Sequence, residues 1–250
     1  MKYLYVANWK MNITVNESVN FCSQNLDSLQ QLSTNADIVL CPSFIALTPV
    51  IEILKNSFIA VGAQNCSDYA SGSYTGEVSA QSLTEIGINY CIIGHSERRM
   101  YYGETSDTIA KKAALLYTNN IQPIICIGET EAEFNTKQTF TILEQQLEPI
   151  IATLQTPTSN NNRIIIAYEP VWSIGTGIIP EQEQLNAVFT WLTELLQKHL
   201  LNHPFHLLYG GSVSSTNSHQ LKTVPHINGF LIGGASADFK SFSEIVTSSL

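Results

Sequence analysis

Residues 163–177 read RIIIAYEPVWSIGTG, and this stretch brings a carboxylate to a place where it could act on a substrate. Ile164, Ile165, Ile166 and Ala167 form an apolar run that suits a strand buried on both faces. Glu169 follows at the strand's end, and Pro170 stops further ladder bonding. Val171, Trp172 and Ile174 then offer apolar cover, while Gly175 and Gly177 let the backbone bend, which is the composition of a lid. A carboxylate under an apolar lid is a candidate general base. The plainer reading of the same residues is a strand end with a solvated Glu and an ordinary loop. Two other pairs carry chemistry. Asn8 and Lys10 follow the first apolar run of the chain, and His95 and Glu97 follow another. Each pair is two residues apart, so an extended backbone would put both members on one face.

These groups need a frame that brings them together. Strand-like runs fall at residues 3–7, 37–41, 58–63, 90–94, 123–127, 163–168, 205–209 and 229–232. Helix-period segments lie between them, most clearly 107–118, 131–154, 181–201 and 217–224; in the third, Leu185, Val188, Leu192, Leu195 and Leu196 make one apolar stripe. Eight β–α alternations without a change in composition predict parallel strands with crossover helices. An open doubly wound sheet would satisfy that pattern. The repeat count, the length and the lack of a G-x-G-x-x-G after the first strand favour a closed (β/α)8 barrel, a single domain over residues 1–250. The Ser/Asn tract Thr156–Asn162 reads as a surface turn. In such a barrel, function gathers at the carboxyl ends of the strands. There stand Asn8 and Lys10, Asn65, His95 and Glu97, Glu169, and the glycine turns Gly210-Gly211-Ser212 and Gly233-Gly234. A base, an imidazole, an ammonium, an amide and two glycine-rich turns on one rim are hard to attribute to packing.

Composition narrows the partners. Of 250 residues, 44% are apolar and 13% charged, enough for a sizeable core and unlike a disordered chain. A net charge of −9 argues against nucleic acid, which selects a basic face. Any phosphate must therefore be held locally, by backbone N–H groups and one Lys. The five cysteines, without a C-x-x-C pair, read as reduced thiols. No run approaches the roughly 20 apolar residues that span a bilayer. The expected setting is the cytoplasm, with no membrane partner.

The motifs NWKMN (8–12), QN (64–65), YTGE (74–77), GHSERR (94–99), ICIGET (125–130), AYEPVWSIGTG (167–177), YGGSV (209–213) and GFLIGGAS (229–236) occur in that order. With them the chain resembles the triosephosphate isomerases, essentially from end to end. The resemblance implies interconversion of dihydroxyacetone phosphate and D-glyceraldehyde 3-phosphate through an enediolate, in glycolysis and gluconeogenesis, with no cofactor and no metal. Glu169 would be the base, with Trp172, Ile174 and Leu231 as the apolar groups that keep it from water. His95 would act as electrophile, the pairing for which this family is the standard worked case. Lys10 would supply positive charge, oriented by Asn8. Glu97 would hold Lys10 or pass protons; its other reading is an ion pair with Arg98 or Arg99. Backbone N–H groups of Gly175, Ser212, Gly233 and Gly234 would grip the phosphate, with a helix starting after Gly234 and another near Ser212. A homodimer is implied, built through the loop from Cys66 to Ser79, in which Thr75 reaches the partner's site.

Other features weigh less. His199 and His203 are four apart but have no carboxylate at ligand spacing. His206, His219 and His226 read as structural, and Cys126 as tight packing beneath Glu169. A Schiff-base aldolase would need a Lys inside a strand after the first, and none is expected. Departures from the family pattern are Ile13 for Gly, Ser173 for Ala in the lid, Ala237-Asp238 for Leu-Lys, and Thr193 and His226 at the places of an Arg–Asp pair. Asp238 is expected to place a negative charge near the phosphate end.

Overall fold

Eight parallel strands close on themselves in chain order: β1 (Tyr3–Asn8), β2 (Ala36–Cys41), β3 (Ala60–Ala63), β4 (Tyr90–Ile93), β5 (Gln122–Ile127), β6 (Ile164–Tyr168), β7 (Phe205–Tyr209) and β8 (Ile227–Ile232). The computed structural model describes residues 2–154, 163–200 and 203–249. The expected turn Thr156–Asn162 and residue 201 of the third helical segment lie outside the described residues. The barrel seam joins the first strand to the last, with Leu4 opposite Gly229 and Ala7 opposite Ile232.

The strand period of two sorts side chains into two cores. Leu4 and Val6 of β1, Ile165 and Ala167 of β6 and Leu208 of β7 pack inside the barrel. Tyr5, Ala7, Ile164, Ile166 and Tyr209 face outward and pack under the helices. Continuing the inward parity one step carries β1 to Asn8 and β6 to Glu169, both at the barrel mouth.

The strand bounds shift by at most two residues from those expected, and those of β7 not at all. β3 starts at Ala60 because Phe58 is 90% exposed and the Ile59 amide donates to Ser57 Oγ instead of a ladder partner. β8 begins earlier, at Ile227. The expected helix 131–154 is two helices, Glu131–Asn135 and Thr139–Leu154. Lys137 between them has φ +59, which an α-helix cannot absorb. The first of the two is fixed at its start by a capping box, in which Thr130 and Glu133 satisfy each other's backbone amides. The helix 181–201 runs Gln182–His199, with Glu181 as its cap, and the segment 217–224 holds only the short helix Ser218–Lys222.

Candidate active site

The carboxyl ends of β1, β4, β6, β7 and β8 surround a cavity of about 420 Å³ that brings together Asn8, Lys10, His95, Glu169, Gly175, Ser212, Gly233 and Gly234. Eight of the nine residues expected from the sequence line this one space. Glu97 reaches it from the side, through its contact with Lys10.

Beyond Asn8 the chain does not stay extended, so the alternation expected for Asn8 and Lys10 is corrected. Lys10 has φ +52, a conformation that costs a non-glycine residue about 1–2 kcal/mol. Its surroundings hold it there. The Lys10 amide donates to Asn8 Oδ1 at 3.2 Å, and Gln64 Nε2 donates to the carbonyls of Lys10 and Cys41, each at 2.9 Å. The resulting bend sends the ammonium inward, where Nζ donates to Glu97 Oε1 at 2.6 Å. Trp9 points the other way, fully buried, and its indole N–H donates to the Ser236 carbonyl at 2.9 Å. Trp9 thereby ties β1 to the turn after β8.

The pair His95 and Glu97 is corrected likewise. His95 is the N-cap of the helix Ser96–Tyr102, and Glu97 lies within that helix. His95 Nδ1 accepts the Glu97 amide at 3.2 Å. A ring nitrogen that accepts carries no proton, so the other nitrogen, Nε2, is the donor. Nε2 lies 3.1 Å from Glu169 Oε1. The second oxygen of Glu169 accepts the Ser96 amide at 2.9 Å. Glu169 is 1% exposed, and His95 5%. Glu97 is bonded to Lys10, while Arg98 pairs with Glu104 at 2.5 Å, so the alternative pairing of Glu97 with an arginine is not the one formed.

Room for Glu169 is made by its neighbours. A Cβ on Gly210 would lie 2.8 Å from Glu169 Cγ, closer than such atoms approach. Beneath it Cys126 is fully buried; burial, then the Glu169 charge, push its thiol pKa well up, which keeps it an inert packing group. On its far side Glu169 borders a second cavity of about 220 Å³, shared with Ser96, Arg99 and Val171.

Trp172, one of the three apolar groups expected to keep water from Glu169, does not line the cavity. Its indole N–H donates to Glu129 Oε1 at 3.1 Å, and its ring packs on Phe134 with centroids 4.5 Å apart. Ile174 and Leu231 do line the cavity with Glu169. Glu129 also accepts from Tyr168 Oη at 3.1 Å, and burial raises its pKa. The sequence reading missed this buried acceptor. Gln64 and Trp9 were missed too, although all three sit inside the quoted motifs. Asn65 is absent from the cavity lining: its Oδ1 accepts from Lys112 Nζ at 2.8 Å.

After β8, residues Gly234–Ala237 form a single 3-10 turn that begins at the cavity wall, where a helix was expected. No helix begins near Ser212 among the described residues before Ser218. Asp238 is corrected: its carboxylate turns away to cap the helix Phe239–Ser248, accepting the Ser241 amide at 2.8 Å, and that bond holds its pKa below the usual value. Thr193 donates within its own helix to the Phe189 carbonyl, and His226 sits exposed in a left-handed turn. Among the described residues no group of three or more His, Cys, Asp or Glu could hold a metal, and no helix is long and apolar enough to cross a membrane.

A family model described as triosephosphate isomerase matches residues 3–249. The chain belongs to the triosephosphate isomerase family. It is 41% identical over 249 residues to a triosephosphate isomerase of Bdellovibrio bacteriovorus, covering 99% of this chain and 100% of that protein. It is 40% identical over 252 residues to one from Carboxydothermus hydrogenoformans, covering 100% and 99%. A third, from Lawsonia intracellularis, is 38% identical over 248 residues, covering 98% of each. The triosephosphate isomerase family likeness is thus not confined to the motifs at the barrel mouth.

Proposed function

We propose that Glu169 moves the carbon-bound proton, and His95 and Lys10 stabilise the oxyanion, in the interconversion of dihydroxyacetone phosphate and D-glyceraldehyde 3-phosphate. That reaction is the one the family membership assigns to the chain. The observation that carries the residue roles is the pair Glu169–His95, 3.1 Å apart and almost fully buried at the mouth of the cavity. The base takes a proton from the carbon beside the carbonyl and the substrate becomes an enediolate. The same carboxyl returns the proton to the neighbouring carbon while the hydroxyl proton passes from one substrate oxygen to the other by way of His95 Nε2, so no atoms are gained or lost. His95 Nε2–H is the donor for the oxygen whose charge grows, and Nδ1 cannot compete because the Glu97 amide occupies it. Lys10 adds fixed positive charge, its direction set by Asn8, Gln64 and Glu97.

The phosphate grip falls to the backbone amides of Gly175, Ser212, Gly233 and Gly234. Two features support this. Lys10 Cε lies 3.4 Å from where a Cβ on Gly233 would stand, so the ammonium stem and the glycine backbone share one corner. The turn that opens at Gly234 leaves its first amides free of helix partners.

The reading includes a homodimer, which the exposed apolar residues of the rim support. Met11, Ile45, Tyr101 and Tyr102 are 70–95% exposed, and all follow β1, β2 or β4. The loop 66–79 follows β3 and is exposed over residues 69–77, with Tyr69 stacked on Tyr74 at 3.8 Å. A second copy would cover these residues. Five buried free thiols fit a reducing compartment, the cytoplasm.

The decisive experiment is a coupled isomerase assay on the purified chain and on Glu169→Gln. The variant should lose about 10²–10⁴-fold in kcat, with affinity for the non-reacting ligand glycerol 3-phosphate changed far less. Equal loss of both would refute Glu169 as the base.

A further inference from the structure

The lid carries a hydroxyl at residue 173, and the structure uses it fully. Ser173 is completely buried. Its Oγ donates to the Ile178 carbonyl at 2.6 Å and lies 3.2 Å from Tyr209 Oη. A serine hydroxyl has one proton. That proton is committed to Ile178, so Tyr209 must be the donor in the second contact. A parallel chain runs beside it. The Gly177 amide donates to Ser212 Oγ at 3.2 Å, and Ser212 Oγ donates to the Ser173 carbonyl at 2.6 Å. Ser173 therefore receives one hydrogen bond through its side chain and another through its backbone, both from residues at the end of β7. Through Ile178 it also joins the upstream end of the lid to the downstream end.

We propose that Ser173 is a positioning residue that latches the lid to β7. Its hydroxyl fixes the span between residues 173 and 178 as one unit and moors that unit to Tyr209. Without it, Tyr209 Oη would lose its acceptor and the Ile178 carbonyl its donor, while the Ser212 chain would remain. The two chains act on the same seated arrangement, so the hydroxyl of Ser173 adds to a hold that Ser212 alone leaves partial. Seating matters because an uncovered enediolate expels its phosphate to water. This inference rests on the isomerase reading for its catalytic consequence, though not for the latch itself.

The test uses Ser173→Ala, Tyr209→Phe and the double variant in the full chain, with two readouts. The first is amide hydrogen exchange across residues 171–179, which needs no activity. Each single variant should speed exchange there about 3–10-fold while the strands keep their protection. The double variant should be no faster than Ser173→Ala, because the bond that Tyr209→Phe removes is one of the two that Ser173→Ala already removes. The second readout is the fraction of turnovers that release inorganic phosphate, which should rise by a similar factor in Ser173→Ala. A general loss of stability would speed exchange throughout the barrel and leave that fraction unchanged. Unaltered lid exchange in Ser173→Ala, or additive effects in the double variant, would overturn the latch. If Ser173→Ala does not fold, Tyr209→Phe alone decides by the same exchange criterion. An inactive wild type with a lid that loosens on mutation would sink the isomerase roles and leave the latch standing.

Discussion

Glu169 is placed by the groups packed around it. The Ser96 amide and His95 hold its two oxygens, and Gly210 leaves the space its side chain fills. The close approach at Gly210 makes a sharp prediction. In Gly210→Ala the new methyl would meet Glu169 Cγ at 2.8 Å, so the side chain we propose as the base must shift by several tenths of an ångström. Misplaced catalytic groups are costly out of proportion to the distance. Steady-state kinetics should show kcat reduced about 10–100-fold with KM little changed, and thermal unfolding close to wild type would separate displacement from collapse. At this scale the sequence was informative because the residues that line the cavity include polar ones at strand ends. The residues that hold them were harder to see. Gln64, Glu129 and Trp9 act through contacts 23 to 227 residues away in sequence, which no local pattern records. The bend at Lys10 was missed for a related reason: a left-handed lysine has no propensity signal and exists because Asn8 and Gln64 impose it.

The elements read well where burial dictates periodicity. All eight strands were visible as apolar runs, since strands covered on both faces need nothing polar until the rim. Helix ends were less legible, because a cap or a left-handed residue such as Lys137 decides them and the apolar stripe does not. Between elements, one buried network stands out. Lys112, on the helix Ser106–Thr118, donates to Glu104 Oε1 at 2.5 Å and to Asn65 Oδ1 at 2.8 Å, and Arg98 joins Glu104 from the helix Ser96–Tyr102. Burial pushes the Glu104 pKa up, but the bonds from Lys112 and Arg98 prevail and leave it lowered. The stability so gained is present above the ordinary carboxylate pKa and is lost as pH falls through the lowered value. Asn65 immediately precedes the loop 66–79, so the network buttresses the segment we assign to the dimer contact. Lys112→Met strips Glu104 of one cation and Asn65 of its donor. It should cost about 3–5 kcal/mol in urea unfolding, and sedimentation should show the dimer dissociating at higher protein concentration than wild type.

At the scale of the whole molecule, acid should weaken the barrel through a buried imidazole. His206, on β7, is 1% exposed; burial, then the charge of Arg163, lower its pKa from 6.5 to about 4. Between these values the unfolded chain binds a proton that the folded chain refuses. Stability is therefore complete above about pH 6.5, declines down to about pH 4, and gains no further penalty from this group below that. The total is about 1–3 kcal/mol. Urea midpoints measured from pH 7 to 4.5 should fall for wild type and flatten in His206→Gln. The seam of the barrel has a different consequence, for synthesis. β1 pairs with β8, and Tyr3 Oη donates to the Ile227 carbonyl at 2.6 Å across 224 positions. A ribosome that has made the first seven strands holds a sheet with two raw edges, and Lys10 still lacks the turn at Gly233 that shares its corner. Competence thus waits for β8, and until it pairs the growing chain depends on whatever shields its open edges.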